Sequence, residues 1–218
     1  MDTLEVLRGR LDKRPARLGV MGGGFDPIHI GHLAVADQAL EQFRLNWVIF
    51  IPTGTPPHKR GFLTPAELRY LMVVVAAAGH PRFWVSRYEV DNPATDYTVE
   101  TMSHLTRLFG VGVELFFITG ADAVLEIMTW KEPERLLGFC SVVAATRPGY
   151  DLGELEHLQS RLVGGGRIVP MDVPGLDVSS TDIRQRVADG RTIRYLVPQR
   201  VEDLIYKWGL YALGSKGQ

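Results

Sequence analysis

The chain has 218 residues, is 45% hydrophobic, and sets 24 basic against 25 acidic residues for a formal net charge of −1. That length and apolar share fit one large α/β domain with a sizeable core, and the charge balance offers no bulk attraction for nucleic acid or an anionic membrane. No apolar run approaches the ~20 residues of a membrane span, and the N-terminus lacks the apolar core of a signal peptide, so a soluble, cytoplasmic protein is expected.

In chain order, residues 1–16 read as an N-terminal extension. RLGVMG (17–22) is a first strand, followed by a helix over 31–43 and a second strand, NWVIFIP (46–52). A helix over 65–79 is opened by Thr64-Pro65-Ala66-Glu67, which supplies a cap, a first-turn proline and a capping-box glutamate, and is ended by Gly79 and Pro81. FWVSRYEV (83–90) reads as a strand, 98–109 as a helix, VELFFITG (113–120) as a strand and 121–137 as a helix. The single cysteine, Cys140, excludes a disulfide within the chain; inside FCSVVAA it reads as a buried, inert thiol. A strand at 141–147, a helix at 154–162, a strand at 167–173, and helices near 180–189 and 198–207 follow, with 211–218 as a tail. The strands are nearly continuous in apolar residues, as when both sheet faces are covered. Their alternation with helices predicts one domain over 17–210. It is α/β and Rossmann-like, a doubly wound, mostly parallel sheet with helices on both faces and a small C-terminal helical portion.

Ligands of such a sheet bind beyond the carboxyl ends of the strands. There the first strand runs into Gly22-Gly23-Gly24, whose backbone N–H groups can approach a phosphate without interference from Cβ. The next helix turns its positive end to the same place, and His29 and His32, three apart, share its first turn. A structural turn with two capping histidines would use the same letters. The dinucleotide fingerprint G-x-G-x-x-G is absent, since position 27 is Pro and no acidic residue marks the second strand. That argues against a hydride-transferring Rossmann enzyme.

The whole segment GGGFDPIHIGH (22–32) resembles the G-x-F-x-P-x-H-x-G-H signature of the nucleotidylyltransferase superfamily. Class I aminoacyl-tRNA synthetases share its last four letters, but the K-M-S-K-S loop and a tRNA-binding region are not found. VSSTDIR (178–184) instead resembles the I-S-S-T-x-I-R motif of the nicotinate mononucleotide adenylyltransferases. PTGTPPHK (52–59), DYTVET (96–101) and TGADAVLEIMTW (119–130) are similar to segments of that family, in the same order. The chain departs from the family's pattern at Gly24, where Thr or Ser is more frequent, at Ile30 for an aromatic, and at Val178 for Ile; the first ~16 residues lie outside the likeness.

The resemblance implies transfer of the adenylyl group of ATP to the 5′-phosphate of nicotinate mononucleotide, giving nicotinate adenine dinucleotide and pyrophosphate in NAD biosynthesis. A phosphate monoester is already largely an anion above its second pKa, about 6, so the attack needs no general base. The site must align two polyanions and absorb charge in flight. On that reading His29, His32 and Arg184 serve catalysis, with His32 on the α-phosphate. ATP is held by Gly22, Gly23, Gly24, Phe25, Gly120 and Asp122, and by Ser180, Thr181 and Arg184 at a late helix start. Without the likeness, that helix start would be an ordinary cap and a surface arginine. Asp122 could bind ribose hydroxyls or cap its helix, and Asp26 reads as structural.

The mononucleotide falls to His58 and Lys59, on a loop that also carries Arg60, and to Tyr97, Thr98 and Trp130. A solvated charged loop and a core tryptophan are the plainer readings of those positions. Mg²⁺ is expected to arrive with ATP; no residues stand out as a metal cage, and His80, His104 and His157 receive no role. The expected partners are ATP and nicotinate mononucleotide, with a homo-oligomer compatible and no nucleic acid or membrane. Alternatives are a sister enzyme using nicotinamide mononucleotide or another acceptor such as phosphopantetheine, and a non-catalytic nucleotide-binding protein.

Overall fold

The computed structural model describes residues 3–11, 15–54, 64–95, 97–146, 149–162 and 167–212. Six strands, β1 (Ala16–Gly23), β2 (Trp47–Pro52), β3 (Phe83–Val85), β4 (Val113–Gly120), β5 (Ser141–Thr146) and β6 (Ile168–Asp172), form one sheet. Its order is β3-β2-β1-β4-β5-β6 and every pairing is parallel. The helices are α1 (Thr3–Gly9), α2 (Ile30–Gln42), α3 (Ala66–Ala77), α4 (Tyr88–Asp91), α5 (Thr98–Phe109), α6 (Ala121–Leu125), α7 (Pro133–Phe139), α8 (Gly153–Ser160), α9 (Ser180–Ala188) and α10 (Gln199–Lys207), with a 3₁₀ turn at Ile127–Thr129.

Strand residues alternate between two cores because successive Cβ atoms leave opposite faces of the pleat. Leu18, Val20, Ile49, Ile51, Leu115, Phe117 and Val142 pack with Met102 and Leu105 of α5, Leu136 of α7 and Leu155 of α8. Met21, Val48, Phe50, Phe116, Ile118 and Val143 pack with Leu40 of α2, Met72 of α3, Ile183 of α9 and Ile205 of α10. The sheet winds outward in both directions from the β1–β4 pair, which leaves a crevice at the carboxyl ends of those two strands.

Several sequence expectations change. The strand expected over 83–90 stops at Val85, because the Ser86 hydroxyl accepts from Tyr88 N–H (3.1 Å) and starts the short helix α4. The single helix expected over 121–137 is three pieces: Trp130 is extended, Glu132 has φ 49°, and Pro133 opens α7. A residue before proline is kept out of the helical region, so the break is local chemistry. The Thr64–Glu67 capping box is not made. Pro65 takes the cap position, Thr64 Oγ1 donates to the Tyr211 hydroxyl (3.1 Å), and Arg87 holds Glu67 at 2.7 and 2.9 Å.

Within the segment read as an extension, α1 buries Leu4 and Leu7 completely in the first core; Tyr211, read as the first tail residue, is buried in the second. Cys140 is buried as expected, and burial pushes its thiol up to about 12, so it stays protonated. Among the described residues, no helix is long and apolar enough to cross a membrane.

Candidate active site

A cavity of about 340 Å³ opens at the crevice. Gly22 of β1 and Thr119 and Gly120 of β4 form its floor; His29, Gly31, His32 and Val35 of the α2 start form one wall, and Val173, Pro174, Leu176 and Val178 beyond β6 another.

His29 occupies the cap position of α2 with an extended backbone (φ −143°, ψ 172°). Its N–H donates to Nδ1 of His32 (3.2 Å), and the two rings stack at 3.7 Å. An Nδ1 that accepts carries no proton, so the neutral His32 ring holds its proton on Nε2 and offers that N–H as a donor. The H-x-G-H spacing has a steric origin: a Cβ on Gly31 would stand 3.0 Å from His29 Nδ1 and 3.1 Å from Cε1. A side chain there would press on the ring, so glycine leaves it room to fold over the helix start. The first helical N–H, of Ile30, is already given to the Leu196 carbonyl (3.0 Å).

Burial lowers His29 to about 4; burial and the neighbouring His29 lower His32 to about 3. Both are therefore neutral at pH 7 in the free protein.

The turn between β1 and α2 is held from behind. Phe25, at φ 49°, buries its ring edge-on to His32 (5.1 Å) and against Gly23, where a Cβ would meet the ring at 3.3 Å. Arg69 Nη1 donates to the Gly24 carbonyl (2.7 Å), Arg184 Nη1 to the Asp26 carbonyl (2.7 Å), and Ser180 Oγ to the Pro27 carbonyl (2.8 Å). The Tyr211 hydroxyl donates to the Asp26 carboxylate (2.6 Å). Asp26 and Arg69 are both buried; burial pulls the guanidinium down, and the nearby Asp26 charge opposes that pull.

The structure thus brings Gly22, His29, His32 and Gly120 to one cavity and ties the α9 start to it through Ser180 and Arg184. Gly23, Gly24 and Phe25 shape the turn from outside the cavity lining. Ser179 caps α9 by accepting from Asp182 N–H (3.1 Å), while Thr181 is exposed and accepts from Arg184 Nη2 (3.2 Å). Asp122 is exposed and one residue inside α6; Gly120 holds the cap position, so Asp122 is not the helix cap.

Tyr97 caps α5 by position and Thr98 is its first residue. Lys131 lies 4.1 Å over the Tyr97 ring and pairs with Glu100 at 2.7 Å, which sets the 130–131 segment beside that helix start. Trp130 is half-buried, edge-on to Phe117 at 5.9 Å. His58 and Lys59, with Arg60, lie outside the described residues.

Arg69 and Tyr211 are not legible as site residues in the sequence. The one available signal for Arg69 is a charge inside a buried helical stripe with Met72, Val73 and Ala77. Among the described residues, no three His, Cys, Asp or Glu side chains converge as a metal cage. A magnesium ion carried on a triphosphate requires none.

The lowered histidines link stability to pH. An unfolded imidazole titrates near 6.5, so between about pH 6.5 and 3 the unfolded chain binds more protons. Stability from this source is complete above pH 6.5 and lost as pH falls. Urea denaturation at pH 7 and pH 5 is expected to show the wild type losing on the order of 4 kcal/mol more, about 2 per imidazole, than a His29→Asn/His32→Asn double variant. Equal losses would contradict neutral, buried imidazoles.

A family model described as cytidylyltransferase-like matches residues 20–186. A Moorella thermoacetica protein named "Probable nicotinate-nucleotide adenylyltransferase" is 50% identical over 201 residues, covering 91% of this chain and 93% of that protein. A protein of the same name from Thermus thermophilus is 49% identical over 195 residues, covering 89% and 99%. In fold, the chain is similar to the Plasmodium falciparum nicotinic acid mononucleotide adenylyltransferase complexed with NaAD, with a TM-score of 0.72 at 17% identity over 90% of this chain and 97% of that one. With a glycine-rich strand end, a histidine-bearing helix start and a 3-2-1-4-5-6 sheet matched across nearly its whole length, the chain belongs to the nicotinate-nucleotide adenylyltransferases of the cytidylyltransferase-like family.

Proposed function

We infer that the chain is an adenylyltransferase that joins ATP to nicotinate mononucleotide, releasing pyrophosphate and forming nicotinate adenine dinucleotide for NAD biosynthesis. The observation that carries this reading is the His29–His32 pair at the mouth of the β1–β4 crevice, in a chain half identical to relatives of that name. A phosphate oxygen of the mononucleotide attacks the α-phosphorus of ATP; the new P–O bond forms as the bond to the pyrophosphate oxygen breaks. The nucleophile arrives ionised, so the protein positions and stabilises rather than abstracts a proton.

His32 donates its Nε2–H to the α-phosphate, with His29 beside it, and Gly22 to Phe25 shape the backbone around the same group. Gly120 and Asp122 face the ribose. Ser180, Thr181 and Arg184 serve the β- and γ-phosphates; Arg184 spends one of its five donors on Asp26 and one on Thr181, and the remaining donors suit an anion. His58 and Lys59 supply cations for the mononucleotide phosphate. Magnesium enters as MgATP, part of the substrate.

His32→Ala is expected to lose about 100–1000-fold in kcat, the usual loss for one preorganised donor to a developing charge, with an unchanged circular-dichroism spectrum. A variant that releases pyrophosphate at near the wild-type rate removes His32 from the chemistry.

Selectivity for the nicotinate form rests on the start of α5. Thr98 and Val99 N–H groups have no acceptor within the helix, and the Tyr97 side chain caps neither. These groups only donate and the helix end favours an anion, so a carboxylate fits with both oxygens where an amide turns its NH₂ against other donors. Trp130 gives the pyridine ring an aromatic face and does not tell the two forms apart. Catalytic efficiency at fixed ATP is expected to favour nicotinate over nicotinamide mononucleotide by roughly tenfold or more, about 1.4 kcal/mol per decade. Trp130→Ala weakens both alike. Equal efficiencies, or a preference for the amide, would make the chain a nicotinamide-type or dual enzyme.

A further inference from the structure

We propose that Tyr211 is a positioning residue for the phosphate-binding turn: its hydroxyl holds the Asp26 carboxylate toward the core, so that the backbone N–H groups of the turn stay available to the phosphates of ATP. The proposal rests on the reading that the turn between β1 and α2 receives ATP. Neither Tyr211 nor Asp26 lines the cavity, so both act through the turn.

Tyr211 stands 185 residues from Asp26 in the sequence. Gly209, at φ 59°, follows the end of α10, and Tyr211, at φ 67°, turns its ring back into the second core. A left-handed backbone is uncommon for a residue other than glycine and persists where the surroundings hold it. Two hydrogen bonds fix the hydroxyl: it accepts from Thr64 Oγ1 (3.1 Å) and donates to Asp26 Oδ1 (2.6 Å). The threonine supplies the proton on one side, so the tyrosine proton is committed to the carboxylate. The Thr64 carbonyl accepts from Arg69 Nε (3.1 Å), and Arg69 Nη1 donates to the Gly24 carbonyl (2.7 Å). The network thus leaves the turn at Asp26 and rejoins it at Gly24.

An aspartate in a turn readily accepts from a backbone N–H two residues on. Turned toward the cavity, the Asp26 carboxylate would take an N–H group that a phosphate can use and set a like charge against the ligand. The Tyr211 hydroxyl draws it the other way with a charge-assisted hydrogen bond, and the buried Arg69 guanidinium supplies the opposing charge.

The test is a double-variant cycle of Tyr211→Phe and Asp26→Asn. Each protein is titrated calorimetrically with magnesium α,β-methylene ATP, and steady-state pyrophosphate release is measured beside it. Tyr211→Phe keeps the ring and removes one oxygen. It is expected to weaken the analogue about 10-fold and raise KM for ATP similarly, with KM for the mononucleotide within about 2-fold of the wild type. Asp26→Asn binds the analogue at least as tightly as the wild type. In the double variant the amide has no charge to set against the phosphates, so affinity returns to within about 3-fold of the wild type.

A loss that persists or deepens in the double variant, or that raises both KM values alike, is a packing defect and overturns the proposal. Unchanged affinity in Tyr211→Phe overturns it too. If Tyr211→Phe does not fold, Asp26→Asn decides: weaker binding overturns the proposal and tighter binding upholds it. The titration needs no acceptor, and the kinetics use whichever mononucleotide supports pyrophosphate release in the wild type. A wild type that binds the analogue and does not use nicotinate mononucleotide therefore counts against the acceptor reading, while the cycle still decides on Tyr211. A wild type that does not bind the analogue overturns both.

Discussion

A backbone turn that offers N–H groups to a polyanion must dispose of its carbonyl oxygens, which repel the same ligand. In this chain the carbonyls of Gly24, Asp26 and Pro27 are each taken by a donor from behind: Arg69 of α3, Arg184 of α9 and Ser180 of α9. The three donors come from distant parts of the sequence, at separations of 45, 158 and 153 residues from the turn. The sheet order explains how they meet. Because winding reverses between β1 and β4, the segments that follow β2 and β6 both return to the carboxyl edge of β1. The fold is thus the means by which distant side chains hold one short turn.

The electrostatics follow from the same constraint. A buried arginine beside the site would be costly if unpaired. Asp26 supplies the opposing charge from within the turn itself, and Tyr211 satisfies its carboxylate. Burial beside a carboxylate also pushes the Tyr211 hydroxyl far above its ordinary range, so it remains a donor at any physiological pH. The histidines are treated in the opposite way. Stacked, with His29 buried and His32 half-buried, they stay neutral in the free protein and present hydrogen-bond donors whose direction is fixed before a ligand arrives. Preorganised donors of this kind need no rearrangement as charge develops on a phosphate in flight.

Much of this is legible in the sequence. Five of the six strands fall within a residue or so of the runs read from apolar continuity, and the glycine–histidine turn sits at the strand end where a doubly wound sheet binds ligands. Where sequence and structure part, the causes are specific. Thr64 has the local pattern of a helix cap and bonds to Tyr211; Glu67 has that of a capping-box acid and is held by Arg87. Each side chain finds a long-range partner instead of its local one. Ser86 and Pro133 break elements whose hydrophobic pattern runs on through them. Arg69 and Tyr211 carry no local signal that links them to the turn, because their role depends on chain segments that only the folded sheet brings together. Helix α1 is hidden for the same reason, as its Leu4 and Leu7 acquire meaning only against α5 and the first core.

The turn is held in place by donors from behind, and His32 is proposed to meet the phosphate through Nε2. A crystal structure of the protein with α,β-methylene ATP tests it most directly. An α-phosphate oxygen is expected about 3 Å from His32 Nε2, with Arg69, Arg184 and Ser180 still bound to the carbonyls of Gly24, Asp26 and Pro27. Phosphates seated away from the histidine pair, or a turn that releases those three donors to reach the ligand, would contradict it.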